Sequence, residues 1–309
     1  MKKSAIRNIL FLSMLAIVLL AIACGTDSEP TPLATSTPTP SSETTPFPSD
    51  DGSPDETAQP GTMLVPRVAA KAVTLNDGRV LVTGGWANGS QRSAEVYDPL
   101  TQSWLDAGEM NERRVGHIAV KLQDGRVLVA GGSAGGRGRT ATAEIYDPAT
   151  QEWTPTGDMA EERGNHIAVL LEGGQVLVAG GESQGASISL AELYDPQSGE
   201  WASAGELSAA RSEPFGVLLQ DGRVLVGGGF DRRAARGFDS AEIYDPATNS
   251  WSAAGSMAES RISSSAALLP DGRVFVAGGF RGLFASALNT AEVYDPASGE
   301  WSALPNSAH

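Results

Sequence analysis

Apolar positions in this chain come in short bursts at a fixed interval. The stretch Asp124-Gly125-Arg126-Val127-Leu128-Val129-Ala130-Gly131-Gly132 is a turn dipeptide, a brief apolar run and a glycine doublet, and variants of it begin at Asp77, Gly173, Asp221 and Asp271. Val-Leu-Val between glycines is too short and too β-branched for a helix. Asp-Gly, or Gly-Gly in the third copy, is the turn of a tight β-hairpin. Each burst therefore predicts a central strand that is apolar on both faces. A second burst follows at similar spacing. Ala94-Glu95-Val96-Tyr97-Asp98-Pro99 precedes Trp104, and the pattern returns from Ala143, Ala191, Ala241 and Ala291 with Trp153, Trp201, Trp251 and Trp301. Successive tryptophans in this frame stand 49, 48, 50 and 50 residues apart. A period near 50 residues predicts a stacked or radial array of like units.

Each unit reads as an Arg-led strand, the Val-Leu-Val strand, a variable loop, the Glu-φ-Tyr-Asp-Pro strand and a short Trp strand. Four strands joined as a meander, five times over and without a helix, predict an all-β propeller of five blades after residue 62. The repeats run about 63–110, 111–159, 160–207, 208–257 and 258–309. The combination Gly84-Gly85/Tyr97/Trp104, complete in all five units, resembles the kelch repeat. That resemblance implies a propeller with interaction or carbohydrate-related roles, and the family includes enzymes, so the fold alone does not choose the function. Kelch propellers commonly have six or seven blades. Five units leave a closed ring, an open arc, or a ring completed by another chain.

The N-terminal part has a different composition. Residues 1–23 carry Lys2, Lys3 and Arg7, then an apolar run from Ile9 to Ile22 that is shorter than the ~20 residues a spanning helix needs. Leu20-Ala21-Ile22-Ala23-Cys24 resembles a bacterial lipobox, with Ala21 where leucine is usual. The resemblance implies acylation of Cys24, the only cysteine, and a place outside the cytoplasm on the bacterial cell envelope. Residues 24–62 are rich in Pro, Thr, Ser, Asp and Glu, without Lys or Arg. Such a composition predicts a disordered linker between membrane and propeller. A single cysteine excludes an internal disulfide and a thiolate metal site. A net charge of −15 argues against nucleic acid, whose phosphates need a basic face.

Candidate chemistry falls into two sets. Arg67, Arg114, Arg163, Arg211 and Arg261 recur once per unit on the strand expected to be innermost, where guanidinium groups could hold a carboxylate. They could equally pair with Glu95, Glu144, Glu192, Glu242 and Glu292, whose burial would otherwise be costly. Three residues after two of these arginines stand His117 and His166, able to bind a metal or move a proton, although no third ligand is apparent and no metal is expected. The second set lies in the loops after each glycine doublet. Arg92, Arg137, Arg139, Arg232, Arg233, Arg236 and Arg281, with Trp86, Phe230, Phe280 and Phe284, give one rim the composition of a binding hot spot. No nucleophile elbow, phosphate loop or zinc-protease motif occurs in the chain. The expected function is binding of a protein or glycan, without a cofactor. The alternatives are an enzyme acting on an acidic sugar, similar to the kelch sialic-acid mutarotases, and a structural module completed by another chain.

Overall fold

The computed structural model describes residues 59–135, 138–283 and 285–305. The leader, Cys24 and nearly all of the linker lie outside these residues, as do Arg137 and Phe284. The described residues form five four-stranded antiparallel sheets, each ordered first to fourth strand along the chain. Blade 1 comprises Lys71–Thr74, Val80–Thr83, Gln91–Asp98 and Ser103–Arg114, and Gln59–Pro60 pairs with its outer edge. Blade 2 comprises Ile118–Lys121, Val127–Ala130, Ala143–Asp147 and Glu152–Pro155. Blades 3, 4 and 5 open with Ile167–Leu170, Phe215–Leu218 and Ser265–Leu268, and close with Glu200–Glu206, Ser250–Ser256 and Glu300–Ala303.

The repeated residues account for this architecture. Val127, Leu128 and Val129 are fully buried because a blade covers each face of their strand. Tyr146 lies directly opposite Trp153, and the two rings meet at 4.9 Å. The other four blades repeat this cross-strand pair at 5.0–5.1 Å, an arrangement that stabilises the third and fourth strands against each other. From the second blade on, the tryptophan also ties its blade to the one before. Trp153, Trp201, Trp251 and Trp301 donate their indole N–H to the carbonyls of Ala107, Gly157, Ala204 and Ala254.

The arginines do not lie on the innermost strands, as the sequence suggested. Arg67, Arg163, Arg211 and Arg261 sit in the segments leading into the first strands, and Arg114 ends the last strand of blade 1. All five side chains are completely shielded from solvent and ion-paired with the third-strand glutamate of the blade they lead into, at 2.5–3.0 Å in blades 2 to 5. Each guanidinium also donates to the carbonyl of the first glycine of its own doublet, as Arg163 does to Gly180 at 2.9 Å. The backbone of the same arginine reaches the other way. The Arg163 carbonyl accepts the N–H of Gly132 in the preceding blade at 2.8 Å, and Arg114, Arg211 and Arg261 repeat the bond with Gly85, Gly181 and Gly229. Glycine is required here for two reasons. Gly131 has φ 68°, which costs an L-residue energy. A Cβ on it would also stand 2.5 Å from the Arg163 carbonyl oxygen.

The five blades form an open arc. Buried apolar clusters fill the four junctions between consecutive blades, and among the described residues none joins blade 5 to blade 1. Positions that are buried within the array are uncovered at its ends. Leu75, Leu122, Leu171 and Leu219 are buried while the corresponding Leu269 is not, and Leu81, Leu128, Leu177 and Leu225 are fully buried where Phe275 is partly exposed. On blade 1, Val80 and Tyr97 are partly exposed where the other blades bury Val127 and Tyr146. Trp104 makes no bond to a preceding blade.

The two ends predict unequal responses to one substitution. Gly131→Ala should cost more than ~3 kcal/mol, combining overpacking with backbone strain. Gly278→Ala should cost only ~1–2 kcal/mol, because a Cβ there has nothing nearer than the Leu288 carbonyl at 3.8 Å. Denaturant melts followed by tryptophan fluorescence in dilute solution measure both, and equal losses would mean that the fifth junction is closed.

Candidate functional site

Antiparallel meanders place the loops after the glycine doublets and the segments entering the first strands at one end of the array. The Asp-Gly and Asp-Pro turns lie at the other. The turn end has a groove of about 550 Å³ lined by Leu75, Asp77, Arg79, Asp124, Arg126 and Asp147. Its counterpart recurs between blades 4 and 5, so the groove belongs to the repeat geometry. The loop end is where the blades differ.

The variable loops of blades 3 and 4 are small hairpins: Glu182–Ser183 pairs with Ala186–Ser187, and Phe230–Asp231 with Arg236–Gly237. In the first, Gln184 and Gly185 both have positive φ, 47° and 80°, which suits a two-residue turn of primed type. The hairpins are joined through Ser187. Its hydroxyl donates to the Phe230 carbonyl at 2.8 Å and accepts the Arg232 N–H at 3.1 Å.

Glu182 is the centre of this rim. It is buried, and Arg139 of blade 2 and Arg232 of blade 4 both form ion pairs with its carboxylate. Asn165 donates its side-chain amide to the same group at 3.1 Å. A buried carboxylate held by two guanidiniums from the flanking blades is a brace across three loops. Arg139 and Arg232, expected as ligand-binding residues, are thus occupied in holding the rim together. Phe230, also expected as an anchor, is only 3% exposed. Its backbone pairs with Ser212 and its ring is buried within the rim. Phe280 is partly buried. Arg92 pairs with Glu109, and Arg281 with Glu259.

What remains outward is narrower than the sequence implied. Arg233 and Arg236, at the tip of the blade 4 hairpin, are exposed, and among the described residues neither forms an ion pair. Asp231 accepts the backbone N–H groups of Arg233 and Ala234 at 2.9 and 3.0 Å and so fixes the tip. The Arg236 guanidinium lies 5.2 Å from the centre of the Phe238 ring, and buried Arg211 lies 4.8 Å from it. Cation–π contact of this kind restrains an exposed arginine without neutralising it. Trp86 is 45% exposed on blade 1, so it stands on a different blade from the arginine hairpin.

His117 and His166 are buried on the inner side of the glycine doublets. His117 bonds the Thr83 hydroxyl at 2.9 Å through Nε2, whereas neither ring nitrogen of His166 has a hydrogen-bond partner. The difference is legible in the repeats: the place of Thr83 is taken in the next blade by Ala130, which has no hydroxyl. Burial holds both imidazoles well below their ordinary pKa, and the positive charges of Lys71, Arg114 and Arg163 push the same way. Lys71, whose own pKa is lowered by burial, was not singled out from the sequence. It is the one cation at a position filled elsewhere by Ile118, Ile167, Phe215 and Ser265. Among the described residues no group of three His, Cys, Asp or Glu could hold a metal ion.

An array of four-stranded antiparallel blades with the same frame in every unit is a β-propeller. The chain belongs to the kelch-repeat family. The KLHDC2/KLHL20/DRC7 Kelch-repeats domain matches residues 116–309, and the Kelch motif matches residues 67–111. No curated protein matches the sequence. Among solved structures, that of YjhT is similar with a TM-score of 0.65 at 15% identity, over 78% of this chain and 84% of that one. At that identity the likeness carries the fold alone.

The histidines give the fold a pH dependence. Their folded pKa values are depressed, so unfolded chains take up protons below about pH 6.5 that the folded state refuses. The stability they contribute is intact above pH 6.5 and falls as pH drops below it, by on the order of 1 kcal/mol per pH unit per histidine. Melting temperatures at pH 7.5 and 5.0 should therefore converge in the His117→Gln/His166→Gln variant relative to the parent.

Proposed function

We propose that the protein is a binding module, held outside the cytoplasm by lipid on Cys24, which grips an acidic segment of a protein partner with the blade 4 hairpin. The exposed, unpaired Arg233 and Arg236 carry this reading. Fixed on a hairpin braced by Glu182, they face solvent on a chain of net charge −15, where a local basic point selects and steers an anionic partner. Kelch domains generally mediate protein interactions, which favours a polypeptide over a small molecule. The ring arginines support no second reading as a substrate site, since each is enclosed and paired.

Binding of the chain to arrays of acidic and neutral peptides and glycans tests this. Acidic peptides should bind, the signal should fall at least tenfold in Arg233→Ala/Arg236→Ala, and it should weaken as salt is raised. Retention of acidic glycans alone would transfer the site to sugars, and binding indifferent to the double variant would remove it from the hairpin. The anchor is tested separately. In a bacterial host, labelled fatty acid should enter the parent and not Cys24→Ser, and equal labelling would exclude Cys24 as the acceptor.

A further inference from the structure

The two ends of the arc are each half of a junction that the molecule builds four times. At every internal junction, one blade contributes the leucine of its second strand, the alanine and branched residue of its third strand and its glycine doublet. The next contributes two valines, the tyrosine–tryptophan pair and an arginine carbonyl. Blade 5 presents the first set uncovered: Leu269, Phe275, Ala277 and Ala291 are all partly exposed. Its Gly279 N–H lacks the arginine carbonyl that Gly85, Gly132, Gly181 and Gly229 find. Blade 1 presents the second set: Val80 and Tyr97 are partly exposed and Ala72 is exposed, although Val82 stays buried, and Trp104 lacks the indole bond that the other four make to a preceding blade. Its Arg67 carbonyl takes no glycine N–H, although the Arg67 side chain is locked to Glu95 as in every other blade.

Exposure of large apolar side chains follows the same division. Among the described residues, Leu64, Val68, Trp86, Leu100, Leu268, Leu283 and Leu304 are the exposed ones. All belong to blades 1 and 5 or their loops, and none to the three blades between. The end faces are thus complementary to each other by construction, and within one chain they do not meet.

We propose that blade 5 of one copy packs against blade 1 of a second copy, reproducing the internal junction between molecules. The occupant of each face is the same chain, because its other end carries the matching half, down to one donor, Gly279 N–H, and one acceptor, the Arg67 carbonyl. Such a contact is head-to-tail, so it produces rings or longer assemblies according to the rotation between copies. Since the contact is apolar and the copies share a strong negative charge, added salt should favour assembly.

Sedimentation of the full chain at ~100 µM, well above the micromolar range at which standard-sized interfaces hold, should show species of two or more chains that grow with salt. Phe275→Glu should return them to single chains while keeping the parent's melting temperature within a few degrees. In a Cys24→Ser background, Phe275→Cys and Val80→Cys chains should oxidise to a cross-linked pair only when mixed. A single-chain mass at every concentration overturns the proposal, as does assembly indifferent to Phe275→Glu. So does a Val80→Cys/Phe275→Cys double variant that cross-links within one chain, since it would show the arc closing on itself.

Discussion

Everything in this fold depends on a buried arginine that faces two ways. Its side chain belongs to one blade and its carbonyl to the blade before. A guanidinium without solvent is tolerable only when its donors are met, and a glutamate, two backbone carbonyls and a hydroxyl meet them for Arg114, from Glu144, Gly131 and Thr142. Lysine, with a compact charge and no planar fork, could not span the same acceptors. The glutamate is in turn held by backbone: Glu192 also accepts the Ala160 N–H at 2.7 Å. The glycine doublet, the arginine and the glutamate are therefore one unit, and the repeat has its period because each unit must find the next.

That unit was legible in the sequence because every part of it recurs. Five arginines and five glutamates at matched places already suggested pairing, and the Tyr–Trp frame required strands. Repetition also misled. It put the arginines on the inner strands, whereas they stand just before them, where the chain crosses between blades and a carbonyl can reach back. The open fifth junction could not be read at all. Number alone does not say whether five blades close, and the uncovered Phe275 and Tyr97 show that they do not.

The rim was much less legible, and one position shows why. The residue after the doublet is Trp86, Ser133, Glu182, Phe230 or Phe280, and in each blade its backbone bridges to the same place in the entering segment. The side chains nevertheless have opposite fates, because what covers them comes from neighbouring loops. Glu182 lies beneath arginines of both flanking blades and Phe230 is enclosed with them, while Trp86 has no blade before it. Arginine and phenylalanine in a loop read as a binding surface from composition, yet Arg139, Arg232 and Phe230 form the frame beneath that surface. Among the described arginines expected to bind a ligand, Arg233 and Arg236 at the hairpin tip are the ones without an ion pair to a carboxylate.

An open array has termini in space as well as in sequence. Its central blades are clamped on two sides and its outer blades on one, so cooperativity is set by nearest neighbours. Amide protons should be lost first from the outermost sheets and last from blade 3, a gradient that a closed ring would not have. The Glu182 brace spans blades 2 to 4, so the most persistent part of the molecule is also the part that carries the arginine hairpin. The recognition surface thus stays assembled while the ends of the arc open and close.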